Sequence, residues 1–98
     1  MEVSFGDPDL DKLETEARFD GGFSPSVVKA YRKRMQQIRA AEDERAFYAL
    51  KSLHFEKLKG ERSHQHSMRL NDQWRLILER RGLGKDKTIH LIGIEDYH

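Results

Sequence analysis

Hydrophobic positions change their spacing partway along the chain. As far as about residue 50 they recur every three to four residues, and from about residue 67 they alternate, which predicts helices first and strands afterwards. A short alternating run comes before both: Glu2 to Phe5, with Val3 and Phe5 on one face, predicts a first strand. Asp7 before Pro8 then reads as a cap, and Leu10, Leu13 and Ala17 mark the apolar side of a short helix that Asp20-Gly21-Gly22 ends. Ser24-Pro25 is a stronger start signal, because a cap oxygen is followed by a residue whose missing N–H is not needed in the first turn. Val27, Val28, Tyr31, Met35 and Ile38 then form the stripe of the longest helix, roughly residues 25 to 41, with Lys29, Arg32, Lys33 and Arg39 off it. Glu42-Asp43-Glu44 opens a third, short helix with Ala46, Phe47, Leu50 and Leu53 towards the core, and helix gives way near Ser52.

Beyond that point Ser67 and Arg69 alternate with Met68 and Leu70, and Trp74, Leu76 and Leu78 alternate with Arg75, Ile77 and Glu79. A last strand reads Thr88 to Ile94, with Ile89 and Leu91 opposite His90 and Ile92. Asn71-Asp72 and Gly82-Leu83-Gly84 are the turns between these runs, the first short enough for a tight hairpin. The predicted class is α+β: a short N-terminal strand, two or three helices, then an antiparallel sheet of three to four strands with the helices packed on one face.

At 98 residues the chain is expected to form one domain, residues 1–98. The absence of cysteine excludes a disulfide framework and a thiolate zinc site and fits a reducing compartment. No apolar run approaches the roughly 20 residues of a membrane helix, and the first ten residues lack a signal-peptide pattern, so the expected location is the cytoplasm. The net charge of +1 hides a segregation. Residues 1 to 22 carry seven acidic and two basic side chains, a net of −5, and residues 23 to 98 carry 16 basic and 10 acidic ones, a net of +6. The larger, basic part is the one suited to a polyanion, although solvated surface charge is the simpler account of it.

Three short motifs change this picture: Leu58-Lys59-Gly60-Glu61-Arg62, Met68-Arg69-Leu70-Asn71-Asp72-Gln73-Trp74-Arg75, and the closing Asp96-Tyr97-His98. Each alone is weak, but in this order and within this length they resemble the HigB branch of the RelE/ParE superfamily, toxins of type II toxin–antitoxin systems. The resemblance implies a ribosome-dependent mRNA endonuclease, an mRNA interferase that inhibits translation. In that reaction a ribose 2′-hydroxyl attacks its own adjacent phosphate, leaving a 2′,3′-cyclic end and a free 5′-hydroxyl, with no metal ion or other cofactor. It also implies a helix-turn-helix antitoxin, HigA-like, as partner, besides mRNA on the ribosome and ribosomal RNA, and no membrane.

Such chemistry needs a base for the 2′-hydroxyl, cations for the charge developing on phosphorus and an acid for the departing 5′-oxygen. Lys59 and Arg75 are the expected phosphate clamp, with Arg62 and Arg69 as further RNA contacts. Arg69 reads equally as an ordinary outward residue of a half-buried strand, whereas for Arg75, within the Asn-Asp-Gln-Trp-Arg motif, the functional reading is the stronger; Trp74 reads as core because it shares a face with Leu76 and Leu78. His98, with an ordinary pKa of about 6.5, suits proton transfer near neutral pH; Tyr97 suits stacking on a base or donating to the phosphate, and Asp96 suits orienting His98 or Arg75. Relatives place a histidine three residues before the motif lysine, where this chain has Glu56, with His54 two residues earlier. If residues 54 to 58 are extended, both point to one side and either can accept the proton. Lys29, Arg32, Lys33 and Arg34 form a basic helix face suited to ribosomal RNA backbone. His64-Gln65-His66 places two histidines on one strand face, but no third ligand has diagnostic spacing, so no metal site is expected and both read as exposed polar residues near the RNA path. Two rival readings are a ParE-like toxin that poisons gyrase without RNA chemistry, and a non-catalytic nucleic-acid-binding regulator.

Overall fold

The computed structural model describes residues 1–82 and 87–96. The order is β1 (Glu2–Phe5), α1 (Pro8–Thr15), α2 (Pro25–Ala40), α3 (Arg45–Ala49), β2 (Glu56–Lys57), β3 (Gln65–Arg69), β4 (Trp74–Arg81) and β5 (Thr88–Asp96), with 3-10 turns at Lys51–Leu53 and Gly60–Arg62. This is the expected α+β layout. The predicted turn residues Leu83 and Gly84, and the motif residues Tyr97 and His98, lie outside the described residues.

Both helix starts follow from their caps. Asp7 Oδ1 accepts from the Asp9 N–H at 2.9 Å, and Ser24 Oγ accepts from the Val27 N–H at 3.4 Å, each just before a proline. Arg32 closes the other end of α1: its guanidinium donates to the carbonyls of Leu13 and Glu16, both at 3.0 Å, where the helix's own pairing stops and the Glu16 carbonyl also accepts from the Phe19 N–H at 3.1 Å. The core lies between the helices and one sheet face. Leu10, Leu13, Val27, Tyr31, Met35, Ile38, Phe47 and Leu53 pack there on Met68, Leu76, Leu78, Ile89 and Leu91. Tyr31 is buried whole, and its hydroxyl donates to the Leu10 carbonyl at 2.7 Å.

The sheet has five strands in the order β1-β5-β4-β3-β2. Four of them form an antiparallel run, and β1 joins its edge parallel to β5, pairing Glu2 with Thr88 through Phe5 with Leu91. Gly6 makes that edge close: its N–H donates to the Leu91 carbonyl at 2.8 Å, and a Cβ there would lie 2.9 Å from His90 Nε2. In the β3–β4 hairpin Asn71 Oδ1 accepts from the N–H groups of Gln73 and Trp74, at 2.9 and 2.8 Å. One register shift between Ile77 and Leu78, opposite Gly93 and Leu91, resets the alternation of β5, so that Ile94 as well as Leu91 lies against the core. The other sheet face carries Ser67, Arg75 and Ile77, all buried, while α1, α2 and α3 pack on the opposite face.

Candidate functional site

On this face a cleft of about 210 Å³ is walled by Glu56, Leu58, Arg62, Ser67, Arg75, Ile77, Glu95 and Asp96. Strand pairing builds it. Glu56 on β2 faces Ser67 on β3, and Arg75 on β4 faces Arg69 on one side and Glu95 on the other. Ile77 is buried and gives the cleft an apolar floor.

Arg75 is the centre of the arrangement. Only 7% exposed, it donates from Nε to Ser67 Oγ at 2.9 Å and from Nη2 to the His54 carbonyl at 2.5 Å, and Glu56 Oε2 lies 3.9 Å from Nη2. A guanidinium carries five N–H donors in a planar fork, and fixing two of them to the protein orients the rest. His54 makes its carbonyl available because it takes a left-handed conformation, φ 45°, at the end of the 3-10 turn. The extended run from 54 to 58 therefore fails at its first residue, and only Glu56 stands on a strand beside Arg75. The His54 side chain is exposed.

Arg62 is held differently. Its two terminal nitrogens donate to both oxygens of Glu95, at 2.9 and 2.7 Å, and its Nε donates to Gln65 Oε1 at 2.9 Å. The bond to Glu95 raises the guanidinium pKa, against a smaller lowering by burial. Asp96 ends β5 at the cleft, and its Oδ2 accepts from Gln73 Nε2 at 3.0 Å. Lys59 is exposed next to Leu58 of the cleft wall, where the chain turns through Gly60 at φ 68°. That left-handed turn accounts for the glycine of the Leu-Lys-Gly motif.

Other residues singled out in the sequence fall elsewhere. Arg69 pairs with Asp72 in the hairpin. Arg34 departs from the expected basic helix face: 8% exposed, it donates to the Arg69 carbonyl at 2.8 Å and to Gln37 Oε1 at 3.2 Å. Burial, with Arg69 nearby, lowers its pKa. With Arg32 engaged at the end of α1, Lys29 and Lys33 remain exposed on α2, lining a separate groove with Phe19, Phe23 and Val28. His64 is exposed, 3.3 Å from Glu79, but His66 is buried and stacked on Phe55, contrary to the expectation of an exposed pair. Among the described residues no group of three or more His, Cys, Asp or Glu is arranged to hold a metal ion. Ser67 and Glu95 are cleft residues that the motifs did not single out.

The sequence pattern of the HigB-like toxin family, described as the RelE-like toxin of the type II toxin–antitoxin system HigB, matches residues 4–93. The chain belongs to this family. It is thus a toxin of a type II toxin–antitoxin system, and membership implies a cognate antitoxin as partner. No curated protein sequence matches it. Among solved structures, a YoeB/ParE toxin from Agrobacterium tumefaciens aligns over 100% of both chains with a TM-score of 0.64 and 17% identity. A YoeB dimer from Staphylococcus aureus aligns over 100% of this chain and 97% of its own, with a TM-score of 0.54 and 17% identity. At that identity the two structures speak for the shared fold. No helix among the described residues is long and apolar enough to cross a membrane.

Proposed function

We propose that this HigB-like toxin is a ribosome-dependent mRNA endonuclease whose active centre is the Arg75 cleft. The reading rests on one observation above all: a buried, doubly anchored guanidinium with a carboxylate 3.9 Å away, at a cleft on the sheet face opposite the α-helices. A fixed cation costs little reorganisation when negative charge develops on phosphorus, and partial removal from water strengthens its effect. Glu56, exposed enough to meet an incoming ribose, takes the 2′-hydroxyl proton, and the freed oxygen attacks the adjacent phosphorus. Arg75, aided by Lys59 beside the cleft, offsets the added charge, and the bond from phosphorus to the 5′-oxygen breaks. The proton for that oxygen comes from the Asp96-Tyr97-His98 end, with His98 as donor and Tyr97 positioned against the base or phosphate.

Arg62 enters this scheme as a contact already balanced by Glu95, and an RNA phosphate has to displace that carboxylate to reach it. Arg69 and Lys33 contribute only peripheral charge, and His54 contributes its carbonyl more than its ring. The setting is the cytoplasm, the chain acts as a single domain, and the antitoxin is a HigA-like helix-turn-helix protein.

Primer extension on a message translated by purified ribosomes tests the proposal. Cuts that need both ribosome and toxin, and that vanish with Arg75→Ala, are expected. Intact message together with inhibited gyrase supercoiling would instead favour a ParE-like toxin, and neither effect would favour a non-catalytic regulator.

A further inference from the structure

A second cavity, of about 390 Å³, lies on the other side of the sheet and shares no residue with the cleft. Lys57, His66, Arg80 and Lys87 line it, together with Glu44 and His64. Strand register places the first three together: Lys57 faces His66, His66 faces Leu78, and Arg80 faces Ile89, so all three follow the alternation of the core-facing residues. Glu44 Oε1 accepts from Arg80 at 3.1 Å and from Lys87 at 2.9 Å. Among the described residues three cations face this one carboxylate in the cavity wall, an excess of two positive charges, and each cation has N–H donors beyond those Glu44 uses.

His66 supplies the second observation. It is 3% exposed, its ring lies 4.7 Å from that of Phe55 at an interplanar angle of 13°, and its Nδ1 is sealed from solvent with no hydrogen-bond partner. Burial, and then the charges of Arg80 and Lys57, hold its pKa down, with Glu44 opposing, so near neutral pH the ring carries one proton. A buried N–H without an acceptor is rarer in proteins than a bare lone pair, which puts that proton on Nε2, the nitrogen that is not sealed. A neutral donor backed by an aromatic ring and surrounded by cations is suited to an oxyanion.

We propose that the cavity bounded by Lys57, His66, Arg80 and Lys87 is a binding site for a phosphate group. The excess of positive charge among its described residues suits a phosphate, whether the free ion or a singly charged backbone diester, and the Nε2–H of His66 fixes the oxygen that reaches deepest. The group is either free phosphate or a phosphate of a nucleic-acid backbone, and the site does not depend on the cleavage reading.

The test follows the histidine ring nitrogens by NMR while the whole protein is titrated with inorganic phosphate at constant ionic strength, with chloride as control. A saturable shift of the His66 ring is expected with phosphate and not with chloride. Lys57→Gln, at an exposed position outside the core, should weaken it about tenfold, the loss of one charge-assisted hydrogen bond; Lys29→Gln, on the far groove, should leave it unchanged. A parallel titration with a 2′-O-methyl RNA oligonucleotide, which cannot be cleaved by 2′-hydroxyl attack, separates the sources. Saturation at lower concentration than inorganic phosphate assigns a backbone phosphate, and the reverse assigns the free ion. No His66 shift with either probe overturns the site, as does a shift that chloride reproduces or that Lys57→Gln leaves intact.

Discussion

Two arginines in this protein are almost equally buried, one on each side of the sheet, and they are used in opposite ways. Arg34, on α2, gives its donors to the Arg69 carbonyl and to Gln37 and is no part of the lining of the Arg75 cleft. Arg75, on β4, is tied to Ser67 and to the His54 carbonyl, but it fronts a cleft that also holds the carboxylates of Glu56, Glu95 and Asp96. Burial alone therefore does not separate a cation enclosed by the fold from one placed at a cleft. The difference lies in whether the side chain, once anchored, still faces space that a ligand can enter.

Breaking the comparison on the cleft side should give the largest effect. Arg75→Ala is expected to lower ribosome-dependent cleavage by about 10²–10³-fold, the range for loss of one preorganised charge stabiliser. Arg75→Lys keeps the charge without the planar fork and should recover only part of that loss, measured as cleavage rate per folded molecule. Glu56→Gln preserves shape and removes the proton acceptor, for a loss of about 10²-fold or more in single-turnover cleavage; unchanged cleavage would move the base to His98 or another group.

On the helix side the loss should fall on stability. Arg34→Ala leaves the Arg69 carbonyl without its donor and is expected to cost about 1–3 kcal/mol in urea unfolding, with cleavage per folded molecule retained. Ser24→Ala removes the α2 cap and should cost about 1 kcal/mol, again without touching cleavage. The smallest effect concerns pH. The folded pKa of His66 lies below its unfolded value, so its contribution to stability is complete above about pH 6.5 and declines as pH falls through the depressed folded value. His66→Phe should flatten that part of the stability profile, read from thermal unfolding between neutral and mildly acidic pH.

Much of the fold was legible because its periods are long. Ser24 to Ile38 shows four turns of stripe behind a cap, and β4 sets Trp74, Leu76 and Leu78 on alternate positions, with Ile77 as the apolar exception between them. β2 is two residues long, too short to display any period, and it becomes a strand only because β3 offers it an edge. The parallel pairing of β1 with β5 joins residues more than 80 apart, beyond any local signal. Two misplacements had signals that charge obscured. Arg34 stands three residues after Tyr31 and four before Ile38, on the buried stripe itself, and His66 stands two before Met68, on its face. Polarity suggested surface at both positions, and the spacing was the better guide. Ser67 and Glu95 share the Arg75 face by alternation and register, but their types alone carry no chemistry that would single them out.

The central claim, that the Arg75 cleft promotes attack by the ribose 2′-hydroxyl, is met most directly by replacing that single hydroxyl with hydrogen at the mapped cleavage position of a translated message. The account predicts that this message survives while the unmodified one is cut to a 2′,3′-cyclic phosphate. Cleavage of the deoxy-substituted position at the normal rate, or an unmodified product ending in a 3′-hydroxyl, would contradict it.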